Sequence, residues 1–77
     1  MESFEWTEGD CYYEMRKVSP VEYNWLWGND EDEVGGYITL YYPQGTNEPC
    51  VNDFDGYYDL PRAIKKFLEE RGIKVGF

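Results

Sequence analysis

Residues 21–27, with the sequence VEYNWLW, alternate large apolar side chains with mostly polar ones, and this stretch decides the fold. Successive side chains of a β-strand point to opposite faces, so the odd-numbered positions of this stretch share one face. Those positions are Val21, Tyr23, Trp25 and Trp27. We therefore predict a strand whose apolar face needs an amphipathic element to cover it.

Other strands are predicted on both sides of this stretch. Phe4–Thr7 and Cys11–Val18 alternate, and the turn residues Glu8-Gly9-Asp10 between them indicate a hairpin. Tyr37–Tyr42 is apolar on both faces, which favours an interior strand. Residues 50–58 leave the structure open, since strand ends at Cys50-Val51 and Tyr57-Tyr58 would flank a turn over residues 52–56.

A helix over Asp59–Arg71 is predicted from an apolar stripe at helical spacing. The stripe consists of Leu60, Ile64, Phe67 and Leu68. Asp59 is a favourable N-cap, Pro61 suits the first turn, and Gly72 suits the position after the helix, with Ile73 making the accompanying apolar contact. Strands followed by one helix indicate an α+β fold in a single domain over residues 1–77. We expect a small antiparallel sheet of three to four strands in a meander, with the C-terminal helix on the face of residues 21–27 and the other face open.

Enzymatic chemistry has little support in the composition. The 77 residues include no histidine, which removes the commonest general base and the usual partner of a serine or cysteine nucleophile. No phosphate-binding glycine motif occurs, and the two cysteines cannot complete a four-ligand zinc site from nitrogen and sulfur donors. The acidic clusters at residues 30–33 and 53–55 depart from the calcium-loop pattern. We predict a protein that is not an enzyme and has no cofactor or metal.

The chain has no apolar run long enough for a membrane span, and its acidic beginning is unlike a signal peptide. We therefore expect a cytoplasmic protein with no membrane association, in which Cys11 and Cys50 are reduced and mostly buried.

Acidic residues are concentrated in one part of the chain. Residues 1–56 contain 13 acidic and 2 basic side chains, whereas residues 57–77 contain 3 acidic and 5 basic ones, for a net charge of -9 overall. This field repels nucleic acid and attracts cationic surfaces. The 8 tyrosines, 4 phenylalanines and 3 tryptophans exceed what so small a core can bury, and exposed Tyr and Trp often anchor protein interfaces.

Charge and aromatic content together predict a small acidic protein that binds a basic protein, such as a nucleic-acid-binding enzyme or complex, and inhibits it by occupying the nucleic-acid surface. Such DNA-mimic-like proteins include phage-encoded anti-CRISPR and anti-restriction proteins and nuclease immunity proteins, an analogy of charge and size only. The predicted contact residues are Asp30, Glu31, Asp32, Glu33, Glu14, Glu22, Asn24, Tyr12 and Tyr41.

Three alternatives remain open at this point. An aromatic sheet face with Trp25, Trp27, Tyr37 or Tyr41 as stacking platforms would suit a module that binds a sugar, a peptide or another ligand. The free face would also suit a homodimer. In the third alternative, the acidic residues only keep a small aromatic-rich domain soluble.

Overall fold

The computed structural model describes residues 2–55 and 60–76, and shows one antiparallel sheet of five strands with a short C-terminal helix. The elements are β1 (Glu2–Glu8), β2 (Cys11–Ser19), β3 (Glu22–Gly28), β4 (Glu33–Tyr41), β5 (Cys50–Asp55) and α1 (Arg62–Glu70). Neighbours in sequence are neighbours in the sheet, in the order β1-β2-β3-β4-β5. The α+β class and the meander are confirmed, and β4 is interior as predicted. The count of three to four strands is wrong.

The fifth strand was missed because a β-bulge hides its periodicity. Leu40 pairs with Val51 and Thr39 with Asp53, so Asn52 is the extra residue. Without the bulge, Val51 and Phe54 would lie on opposite faces, whereas the bulge lets both pack against the core. The turn predicted over residues 52–56 is therefore wrong for residues 52–55, and residues 56–59 lie outside the described part of the chain.

The hairpin of β1 and β2 closes with a two-residue turn at Gly9 and Asp10. Gly9 has a φ of 61°, and no residue other than glycine in the described chain has a positive φ. Glycine with positive φ at the first central position defines a type II′ turn, whose twist matches that of the paired strands. This turn sets a regular register along β1, from Glu8 opposite Cys11 to Glu2 opposite Lys17.

The core lies between α1 and one face of the sheet. Its buried members are Met15, Tyr23, Trp25, Ile38, Leu40, Leu60, Ile64, Phe67, Leu68 and Ile73. This confirms the apolar stripe of the helix and the prediction that the Trp25 face receives it, with Trp27 packed at the margin. Val21 is a correction, because it precedes β3 and is 42% exposed. Its carbonyl accepts a hydrogen bond from the backbone of Leu40 at 2.8 Å, which fixes the chain there without burying the side chain.

The helix is shorter than the predicted Asp59–Arg71. It begins at Arg62 with Pro61 as the N-cap residue, and the proposed cap Asp59 lies outside the described residues. The C-terminal end follows the prediction. Gly72 has a φ of 78°, its N–H bonds the Glu69 carbonyl at 3.0 Å, and the Ile73 N–H bonds the Leu68 carbonyl at 3.0 Å. These two bonds form a Schellman motif and direct the buried Ile73 side chain into the core.

The segment after the helix runs beside β5. Val51 donates a backbone hydrogen bond to Lys74, and Lys74 donates one to Pro49, each at 2.9 Å. This segment makes a single parallel bridge, between Lys74 and Cys50, rather than a full strand. Within residues 2–55 and 60–76, no helix has the length and apolar character needed to cross a bilayer.

Candidate protein-binding face

The sheet face opposite α1 is left open by the described part of the chain, and we call it the outer face. Strand register assigns its side chains. They are Ser3, Glu5, Thr7, Tyr12, Glu14, Arg16, Ser19, Glu22, Asn24, Leu26, Gly28, Glu33, Gly35, Tyr37, Thr39, Tyr41, Cys50 and Asp53. An antiparallel sheet tolerates such a solvated face because its backbone groups are paired within the sheet.

Charge on the outer face has one dominant sign. Among the side chains just given, five are carboxylates and Arg16 is the single cation. Arg16 pairs with Glu14 on its own strand at 3.3 Å, so its charge is already partly neutralised. The basic residues of α1 and its C-terminal extension are carried by the other side of the sheet. Folding therefore turns the uneven charge along the chain into one acidic face.

Tyr12 lies across a glycine to reach Glu33. Its hydroxyl donates a hydrogen bond of 2.6 Å to the Glu33 carboxylate, two strands away. Gly28 lies between them in the same cross-strand row, and a Cβ there would approach the Tyr12 hydroxyl oxygen to 2.5 Å. Only glycine leaves room for the ring at this position. The hydrogen bond to Glu33 is the main reason that the pKa of Tyr12 is raised above its usual 10.0.

The loop between β3 and β4 is held by hydrogen bonds despite its charge. The side-chain oxygen of Asn29 accepts bonds from the backbone N–H groups of Glu31, at 2.8 Å, and Asp32, at 2.9 Å. The backbone N–H of Asn29 in turn bonds the Asp32 carbonyl at 2.9 Å. This Asx-type turn presents the exposed carboxylates of Asp30, Glu31 and Asp32 from a defined backbone.

One end of the outer face gathers most of the predicted contact residues. Tyr12, Glu14 and Glu33 border a shallow depression of about 540 Å³, next to the loop that carries residues 30–32. Glu5 and Leu26 also line it. Neither was predicted, although Glu5 follows from the hairpin register that the Gly9 turn sets, which places it directly opposite Glu14.

The other predicted contact residues lie away from this end. Glu22 begins β3, four residues before Leu26, which separates it from the depression by about 13 Å along an extended strand. Tyr41 ends β4 at the same far end and is 51% exposed. Asn24 lies between the two ends. Six of the nine predicted residues therefore lie on the outer face and the other three on the adjacent loop, and the set is spread between the two ends of that face.

The tryptophans proposed as stacking platforms are not on the outer face. Trp25 is 2% exposed and belongs to the core, and Trp27 packs against that core. Tyr37 and Tyr41 do lie on the outer face, with 38% and 51% exposure. Cys11 and Cys50 are unbonded to each other and half-buried, so the expectation of mostly buried thiols holds in part.

The described residues hold no group of three or more histidine, cysteine, aspartate or glutamate side chains arranged to bind a metal ion. No protein-family model, curated protein or solved structure matches the chain.

Proposed function

We propose that this protein binds a basic partner protein through its outer face and inhibits it by covering a surface that otherwise binds nucleic acid. The observation that carries the proposal is the excess of five carboxylates over one guanidinium on an uncovered, aromatic-containing sheet face. Carboxylates carry the same sign of charge as phosphates, so such a face would compete with nucleic acid for the lysine and arginine side chains of a basic surface. Charge complementarity of this kind selects the partner and accelerates encounter.

The size of the outer face supports protein binding. Five strands at 4.7–4.9 Å spacing and about seven residues in length give about 500 Å², to which the loop of residues 29–32 adds. A standard protein interface buries about 800 Å² on each partner. One face of this small domain therefore approaches the area that a specific complex needs.

Rigidity at the end with the depression also supports the proposal. Tyr12 and Glu33 hold one another, and Asn29 holds the loop backbone, before any partner arrives. Ordering side chains during association is unfavourable, so groups that are already ordered bind more tightly. We place the main contact at Tyr12, Glu14, Glu33 and the loop of residues 30–32, with Glu22 and Tyr41 at the periphery.

The proposal extends to the class of protein. A DNA-mimic-like inhibitor of the anti-CRISPR, anti-restriction or nuclease-immunity type, encoded by a phage or a bacterium and active in the cytoplasm, has this size and charge. It would contact protein and not nucleic acid, and it would have no catalytic activity of its own.

The test compares two double variants that remove the same charge from opposite sides of the sheet. Glu14→Gln with Glu33→Gln alters the outer face, and Glu69→Gln with Glu70→Gln alters exposed residues at the end of α1. Tagged proteins capture partners from lysate, and each captured complex is eluted by salt and by competing DNA. We expect the captured partner to be a nucleic-acid-binding protein that DNA displaces. Only the outer-face variant should bind it about tenfold more weakly, which corresponds to a loss of about 1.4 kcal/mol.

Equal weakening by both variants would show that net charge alone acts, and retention that is insensitive to DNA would contradict the proposal.

A second candidate is a ligand- or peptide-binding module, or a homodimer, that uses Tyr37 and Tyr41. Their exposure on the outer face favours it. Binding to such a site would change little between low and physiological salt. Binding that depends on exposed charges would weaken, because the screening length falls to about 8–10 Å at physiological ionic strength.

A further inference from the structure

We propose that the free edge of β1 binds an extended peptide segment of alternating basic and apolar residues, which adds to the sheet as a sixth strand. The two edges of the sheet differ. The segment around Lys74 bonds β5, whereas no described residue pairs with the outer edge of β1. This edge adjoins the depression of the outer face at Glu5 and Glu14, but the proposal does not depend on the outer face binding a basic protein.

The hairpin turn determines which backbone groups are available. A two-residue hairpin closes on a hydrogen-bonded pair, here Glu8 with Cys11, and such pairs alternate along an antiparallel ladder. The even-numbered residues of β1 therefore bond to β2. The N–H and C=O groups of Ser3, Glu5 and Thr7 point away from β2, toward the open edge. Three residues at alternate positions are the pattern that an added strand pairs with.

Few of the features that usually prevent edge pairing occur on β1. It runs for seven residues without a bulge or a proline, and its register with β2 is regular throughout. Its charged residues are all acidic, namely Glu2, Glu5 and Glu8. A second copy of β1 added antiparallel and centred on Glu5 would place glutamate opposite glutamate at each of these positions. The charge thus disfavours self-pairing and favours a basic strand.

A groove beside this edge accepts apolar side chains. It measures about 500 Å³ and lies between β1 and α1, with Phe4, Trp6, Ala63 and Phe67 along its length. Trp6 stacks on Phe67 with ring centroids 5.3 Å apart, which makes a continuous aromatic wall. A residue of the added strand opposite Phe4 or Trp6 would point into this groove, because cross-strand partners share a face.

The charges around the groove indicate which side chains the added strand should carry. Those that point into the groove should be apolar, and those on the opposite face should be basic. Two basic side chains, Lys66 and Arg71, line the groove together with three acidic ones, so its charges nearly balance and the aromatic wall determines what it accepts. The acidic residues are Glu5, Glu8 and Glu70. The Arg71 guanidinium is already placed over the Phe67 ring, 3.5 Å from its centroid. On the other face of the added strand, a side chain opposite Glu5 would meet that carboxylate and the nearby Glu14. Lysine or arginine is the complement there.

The test uses a seven-residue peptide of alternating lysine and valine, with blocked ends, and titrates it into the full chain. We expect it to bind, and to slow hydrogen exchange of the Ser3, Glu5 and Thr7 amides more than tenfold, while the Phe4 and Trp6 amides, already bonded to β2, change little. A version N-methylated at alternate residues along the edge that faces β1 should lose at least tenfold in affinity, because its hydrogen-bond donors are removed.

Charge reversal supplies the matched control. Glu5→Lys should prefer a glutamate-valine peptide, whereas Glu22→Lys, with the same change in net charge but on β3, should retain the preference for lysine. The single variant Glu33→Gln, which alters the outer face on β4, should bind the peptide within about threefold of the unmodified chain, so the two proposals can fail separately. The edge proposal is overturned by absence of binding at millimolar peptide, by equal binding of the N-methylated peptide, or by protection of the three amides through dimerisation of the chain alone.

Discussion

Replacing Glu5 by glutamine should stabilise the fold, because Glu5 and Glu14 are direct cross-strand neighbours of like charge. Glu5 is exposed, whereas the Glu14 side chain is 27% exposed. Two carboxylates about 6 Å apart in water repel by about 0.7 kcal/mol. The ion pair of Glu14 with Arg16 offsets part of this, which leaves about 0.5 kcal/mol at low ionic strength. For a domain of this size, that gain raises the melting temperature by about 2–4 °C.

The assay is thermal and urea unfolding, followed by circular dichroism, at about 0.01 M and 1 M salt. Screening over about 3 Å at 1 M should remove the gain almost completely. The control is Glu2→Gln, which makes the same change in net charge on the same strand, but at a residue opposite Lys17. It should be neutral or slightly destabilising. Equal stabilisation by both variants, or a gain at Glu5 that persists in 1 M salt, would refute the assignment of a local repulsion.

Three other predictions concern the Tyr12 row and the helix end. Gly28→Ala should displace the Tyr12 ring, since a Cβ would approach the ring carbon Cζ to 2.6 Å. A lower melting temperature and shifted Tyr12 ring resonances would show this displacement, and unchanged resonances would contradict it. Tyr12→Phe should destabilise the fold at neutral pH, because the hydrogen bond to Glu33 stabilises the protonated tyrosine. The loss in stability should be complete below pH 10.0 and diminish as the pH rises through the raised pKa of Tyr12. Chemical unfolding of both proteins from pH 7 to about 11.5 measures this difference, and a difference that does not depend on pH would count against the prediction. Gly72→Ala should lower the free energy of unfolding by about 1–2 kcal/mol, because φ is 78° at this residue. The control Gly76→Ala, where φ is not positive and no atom lies within 4 Å of the added Cβ, should leave stability in urea unchanged. Equal effects of the two variants would exclude the backbone explanation.

Local patterns in the sequence were sufficient for most elements. Alternation predicted β1 to β4 with ends shifted by as much as four residues, because pairing with a neighbour extends a strand beyond its apolar positions, as at Glu33–Gly36. Helical spacing predicted the buried face of α1, and a glycine after the helix predicted its Schellman end. These features depend on a few adjacent residues, and such short-range information is present in the sequence itself.

Tertiary pairing decided what the sequence left open or gave wrongly. The bulge at Asn52 brings Val51 and Phe54 to one face, and only the partner strand β4 imposes that irregularity. Cross-strand register also aligned Tyr12 with Glu33 across Gly28 and placed Glu22 at the far end of the sheet from both. The sequence by itself determined that the chain is acidic, aromatic and amphipathic in each element. The assembly of five of its carboxylates on one face is a property of the folded sheet, because residues far apart in the chain become neighbours only when their strands pair.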